Sequence, residues 1–223
     1  MAEAVAVLVD NSEWSRNADY FPSRLLSQTE AVESILLAKT NGNPETLVGI
    51  LAMAGETPRV CSSLTNDKAR LYSALGTIAP HGEVSLPRAL ETAFLMLKHR
   101  RNEARVQRVI LFLASPTTED DAALSYLSKA LQKSKITLEI VLLGEAADCY
   151  SHYKQLLPQG GETESTIVSL PPSGTESLAR RLGGINTTAA DMVEHEDDPE
   201  LEIALRMSLQ EEQERQTKLE QNK

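Results

Sequence analysis

The stretch Val5-Ala6-Val7-Leu8-Val9, followed at once by Asp10-Asn11-Ser12-Glu13-Trp14, decides how this chain is read. Five apolar residues without polar alternation, three of them β-branched, mark a short strand covered on both faces. The polar run after it is then the loop at that strand's carboxyl end. Four further runs share the character: Thr46 to Met53, Val106 to Ala114, Ile136 to Leu143 and Thr166 to Leu170. Between them the residues recur at helical spacing. Leu25, Thr29, Val32, Leu36 and Lys39 form one row, ending before the Asn41-Gly42-Asn43-Pro44 breaker. Asp67 is an N-cap before Leu71 and Leu75, and Leu86, Leu90, Ala93 and Leu97 form a third row. Asp120 or Asp121 caps a fourth, with Leu124, Leu127 and Leu131 on one side, and residues 150–157 and 175–182 read as two short helices. Strands alternating with helices predict a doubly wound α/β domain over residues 1–186, a mostly parallel sheet with helices on both faces. Arg59-Val60-Cys61 reads as an extra short strand, a hairpin partner of the run ending at Met53.

At 223 residues and 41% hydrophobic content, one domain with a packed core plus an appendage is expected. Thirty-two acidic against 22 basic residues give a net charge of −10, which argues against nucleic acid as a partner. No apolar run approaches the roughly 18 residues of a membrane span, and Met1-Ala2-Glu3-Ala4 is not a signal-peptide start. Cys61 and Cys149 form no CxxC pair and suit a reducing compartment, each as a small buried apolar residue. The charge is unevenly placed. Residues 191–223 hold eleven acids and four bases, a net of −7, so the rest of the chain is nearly neutral.

Hydrophobic periodicity lapses from Gly183-Gly184 to His195, which predicts an acidic linker over 187–196. Helical signals then return. Asp198-Pro199 places an N-cap before a proline at the first helical position, and Asp197, Glu200 and Glu202 suit the positive end of the dipole. Glu202–Arg206, Glu211–Arg215 and Glu214–Lys218 are i,i+4 pairs in the favourable order. A separate C-terminal helix over 197–218 is therefore expected.

Catalytic motifs are missing from the strand-end loops. There is no GxGxxG, no GxxxxGK[ST] and no GxSxG, and the four histidines lack metal-ligand spacing. A Ser12–His81 pair is the one arrangement that could serve a nucleophile, and it reads better as loop surface, so no enzyme is expected. Trp14, Tyr20 and Phe21 read equally as a cover for the sheet's end or as a partner contact.

Asp10-Asn11-Ser12 after a first strand resembles the DxSxS cation motif of von Willebrand factor type A domains, whose hard oxygen ligands suit Mg²⁺ or Mn²⁺. The resemblance implies the fold but only a degenerate metal site at Asp10 and Ser12. Trp14 stands where the second Ser belongs, Val84 to Arg88 brings an arginine rather than a Thr, and Ser115-Pro116 replaces an acidic residue. No cofactor is expected.

In the tail, Leu201, Ala204, Leu205 and Ser208 fall within one helical arc, flanked by Ile203 and Met207. Acidic residues precede this stripe, and Glu211-Glu212 follow it. The spacing Φ-x-x-A-x-x-x-S between acidic runs resembles the ubiquitin-interacting motif. With the body's Val9-Asp10-Asn11-Ser12, Asn43-Pro44-Glu45, Leu97-Lys98-His99-Arg100 and Ser115-Pro116, nearly the whole chain resembles the ubiquitin-receptor family of the proteasome regulatory particle. That resemblance implies a body docked on other regulatory-particle subunits. It also implies a helix that captures ubiquitin and polyubiquitinated proteins through Asp198, Glu200, Leu201, Ile203, Ala204, Leu205, Met207 and Ser208. It implies action in the cytoplasm and nucleus, without nucleic acid or membrane. The alternative is a metal-dependent adhesion or scaffold module using Asp10 and Ser12.

Overall fold

In the computed structural model the described residues are 2–100, 106–116, 119–158, 165–173 and 176–186. The chain divides into Met1–Gly183 and Gly184–Lys223, and the second unit lies beyond the described residues apart from 184–186. The strands are β1 (Glu3–Val9), β2 (Leu47–Ala52), β3 (Arg59–Thr65), β4 (Val106–Leu113), β5 (Ile136–Leu143) and β6 (Thr166–Leu170). They form one sheet in the order β3-β2-β1-β4-β5-β6, with β3 antiparallel and every other pair parallel. The strand order reverses beside β1, so the carboxyl ends of β1 and β4 form the switch point where α/β sheets place their sites.

Helices α1 (Arg24–Gly42), α2 (Lys68–Leu75) and α6 (Leu178–Asn186) cover one face. Helices α3 (Leu86–Lys98), α4 (Asp121–Lys133) and the single turn α5 (Tyr150–Tyr153) cover the other. The alternation inside β1 shows why its sequence is apolar throughout. Val5, Val7 and Val9 enter the first core, and Ala4, Ala6 and Leu8 the second, all of them fully buried. Gly49 on β2 has no side chain for the same reason, because a Cβ there would lie 2.6 Å from Met96 Sδ of α3.

Over the described residues the expected elements are present, with four shifts at their ends. The helix expected at 150–157 is a single α turn, Tyr150–Tyr153, continued by a 3-10 turn over Lys154–Leu156. The first helix runs through Asn41-Gly42 and stops at Asn43, held extended (φ −152°, ψ 114°) because it precedes Pro44. The hairpin strand extends to Thr65, and its register shifts across Ile50 mark bulges. The last helix passes through Gly183-Gly184 to Asn186, so the linker does not begin at the glycines. Burial of Leu178 and Leu182 outweighs the cost of glycine in a helix. The linker at 187–196 and the helix at 197–218 lie outside the described residues.

Candidate functional site

At the switch point the loop after β1 is tied into the molecule on all sides. Asp10 is fully buried, and its carboxylate accepts four hydrogen bonds. Oδ1 takes the Ser12 N–H at 2.9 Å. Oδ2 takes the Ala114 N–H at 2.8 Å, the Ser115 N–H at 2.9 Å and the Ser115 hydroxyl at 2.8 Å. Gln28 of α1 clamps the same residue's backbone, accepting from Asp10 N at 3.0 Å and donating to its carbonyl at 3.1 Å. Asn11 bridges two other loops, accepting from Ala54 N at 2.8 Å and donating to the Ala79 carbonyl at 3.0 Å.

The neighbouring charge is Arg24, at the first position of α1 and buried. It donates twice to Asp19 at 2.7 Å, to the Ala114 carbonyl at 3.0 Å, and to Glu145. Burial opposes its charge, but the bonds from Asp19 and Glu145 outweigh that and hold its pKa above the ordinary value. Glu145 is held below its ordinary value by the Arg24 bond, and Asp19 likewise once that bond overcomes burial. Gly144 makes room for the guanidinium: its φ is 52°, and a Cβ there would sit 2.3 Å from Arg24 Cζ. Sequence reading overlooks this arginine because it stands at a helix start and two of its partners, Ala114 and Glu145, lie 90 and 121 residues along the chain.

The arrangement does not fit a divalent cation. Such an ion wants about six oxygen ligands, whereas the Asp10 carboxylate is already filled by N–H and O–H donors. Ser115, where a carboxylate would be needed, donates to Asp10 instead. Ser12 Oγ is the one oxygen of the motif that is buried without a partner, and a single hydroxyl is no cage. No group of three or more His, Cys, Asp or Glu able to hold a metal exists among the described residues. The Ser12–His81 pair does not form, since Ser12 Oγ has no hydrogen-bond partner. A cleft of about 410 Å³ beside Asn11 is lined by Glu56, Arg59 and His81, with Arg59 already donating to the Thr77 carbonyl at 2.9 Å.

The three aromatic residues divide. Tyr20 is 4% exposed, and its hydroxyl donates to the Leu170 carbonyl and accepts from Gly144 N at 3.0 Å. Burial pushes its pKa up. Trp14 is 42% exposed and Phe21 88%. Cys61 and Cys149 are free and half-buried rather than fully buried, one against each core. Asp198, Glu200, Leu201, Ile203, Ala204, Leu205, Met207 and Ser208 lie outside the described residues.

Comparison with known proteins gives this geometry a context. The von Willebrand factor type A domain family matches residues 5–117. The 26S proteasome non-ATPase regulatory subunit 4 homolog of Arabidopsis thaliana is 37% identical over 238 residues, covering 96% of this chain and 62% of that protein. This chain thus spans about three fifths of that relative. The 26S proteasome regulatory subunit rpn10 of Schizosaccharomyces pombe is 33% identical over 223 residues, covering 96% of this chain and 91% of that one. The crystal structure of the SpRpn10 VWA domain superposes with a TM-score of 0.75 at 32% identity, over 82% of this chain and 95% of that one.

Proposed function

This chain belongs to the family of 26S proteasome regulatory subunits built on a von Willebrand factor type A body, and we propose that it works there as a non-catalytic ubiquitin receptor. The body docks on neighbouring subunits of the regulatory particle. The C-terminal segment over 197–218, tethered by the acidic linker 187–196, captures ubiquitin on proteins marked for degradation, in cytoplasm and nucleus.

The observation that carries this reading is the spacing Leu201, Ala204, Ser208 between acidic runs, on a chain whose body matches the family. Leu201, Ile203, Ala204, Leu205 and Met207 would cover an apolar patch on ubiquitin, where the small Ala204 lets the helix approach closely. Ser208 would hydrogen-bond beside it, and Asp198 and Glu200 would meet basic residues around the patch. Filling of Asp10's carboxylate by backbone donors supports docking rather than a cation-dependent grip.

A single short helix buries less than the roughly 1,200 Å² of a standard interface. Binding of monoubiquitin is therefore expected near 10⁻⁴ M, on the order of 5 kcal/mol, and it tightens when polyubiquitin adds valency. Titration of isotope-labelled ubiquitin tests this. Wild type should shift ubiquitin's apolar patch, and a Leu201→Asn/Ala204→Asp variant should not. Equal shifts from both would remove the receptor assignment.

A further inference from the structure

The most exposed large apolar side chain among the described residues, Phe21, is also firmly mounted. Its chain neighbour Tyr20 is buried and bonded at its hydroxyl to Leu170 and Gly144. Three residues on, Arg24 is buried among Asp19, Glu145 and the Ala114 carbonyl. The Phe21 carbonyl itself accepts the Ser27 hydroxyl at 3.0 Å. The ring is thus 88% exposed on a backbone held from both sides. The backbone that carries the ring therefore loses little further freedom on binding, which favours an interface anchor.

The surface continues along α1. Leu26, Glu30, Glu33 and Leu37 recur at i, i+4, i+7 and i+11, one straight row of about 16 Å on the helix's outer side. All four are exposed, Leu26 at 51% and Leu37 at 48%. Neither Glu30 nor Glu33 has an ion-pair partner among the described residues. Lys39 on the same helix is engaged at 2.9 Å with Glu3. A cleft of about 160 Å³ beside the ring, shared with Leu178 of α6, can admit a partner's side chain.

We infer that Phe21 and the outer row of α1 form the surface by which the body docks on a neighbouring regulatory-particle subunit. That subunit presents an apolar socket for the ring and lysine or arginine side chains opposite Glu30 and Glu33. Charge complementarity selects this partner: two unpaired carboxylates between leucines attract a basic, partly apolar protein surface and repel an acidic one. The inference rests on the proposed role of the body as the docking part, and it names the face.

The test uses the full chain and regulatory particles purified from cells lacking it, with binding measured by co-sedimentation over a concentration series. Phe21→Ala should weaken binding at least tenfold, and Glu30→Lys/Glu33→Lys should weaken it further as salt falls. Both variants should melt like wild type, because the replaced side chains are exposed. Tyr126→Ala, at an exposed residue of α4 on the opposite face of the sheet, should bind like wild type. Wild-type affinity in both α1-face variants overturns the inference and leaves docking by another face standing, and a loss confined to Tyr126→Ala assigns that face. Failure of the wild-type chain to bind the particles removes the docking role and this face with it. The ubiquitin titration is independent of all these outcomes.

Discussion

At the carboxyl end of the sheet Asp10 meets only N–H and O–H donors, whereas at the amino end of the same strand Glu3 meets two cations. Arg108 of β4 pairs with Glu3 at 3.1 Å and also with Glu139 of β5, and Lys39 of α1 completes the group at 2.9 Å. The two ends therefore handle charge by different means. Asp10 is fully enclosed and bonded to the backbone of the Ala114–Ser115 turn, so its carboxylate is a strut of the switch point. The amino-end group pairs side chain with side chain at the rim, where each member keeps 15–29% of its side chain exposed. A strut fails when it is removed, while a rim network weakens by degrees with salt and acid.

The sharpest way to break this contrast is Asp10→Ala. Four buried donors lose their acceptor, and the expected loss is about 3–5 kcal/mol in urea unfolding, unaffected by salt. A loss below about 1 kcal/mol would mean that water replaces the carboxylate and that the strut description is wrong. Gly144→Ala comes next, at about 2–3 kcal/mol, because it combines a left-handed backbone with a side chain driven into Arg24. Thermal melts should show it as a drop of several degrees. Arg108→Gln should cost about 1–2 kcal/mol, and raising the salt should shrink that difference, as it should not for Asp10→Ala.

Acid sharpens the same comparison. Burial alone would raise the Glu3 pKa, but Lys39 and Arg108 bring it below its ordinary 4.5. A depressed folded pKa gives stability that is present above the unfolded value and lost as pH falls through the folded one. The gap between wild type and Arg108→Gln should therefore be full at neutral pH and close below about pH 4.5. Unfolding series across that range check it, and a gap that widens in acid would refute the assignment. The smallest effect expected is from Mg²⁺, which should move the melting temperature by less than about 1 °C, since only a ligand bound by the native state stabilises it. A shift of several degrees, lost in Asp10→Asn, would restore a cation site.

How far the sequence was legible follows from where the information sits. The strands over Ile136–Leu143 and Thr166–Leu170 lie where the apolar runs place them. Asp67 caps α2 as read, accepting the Arg70 N–H at 3.3 Å. These are local features. Ser62, Ser63 and Thr65 break the apolar pattern of the hairpin strand, so the sequence shows only its start, and pairing with β2 holds them in the strand nonetheless. The glycine pair at 183–184 signals a helix end, but burial of Leu178 and Leu182 overrules it. Arg24 was missed for a related reason, since Glu145 and Ala114 are 121 and 90 residues away.

The sequence by itself determined the two-faced sheet, the nearly neutral body and the acidic end with its Leu201-to-Ser208 spacing. Each depends on neighbours along the chain, whose relation the covalent geometry already sets. Only the tertiary structure decided what Asp10 does and which of Tyr20 and Phe21 faces outward. The Asp10 carboxylate meets groups 104 and 105 residues away, and the Tyr20 hydroxyl meets partners 150 and 124 residues away. Such meetings are fixed by strand order and register, which place the ends of β1, β4, β5 and β6 side by side. A motif residue that could have held a cation is thus bonded into the fold, and of two adjacent aromatic residues one is sealed inside and the other stands exposed.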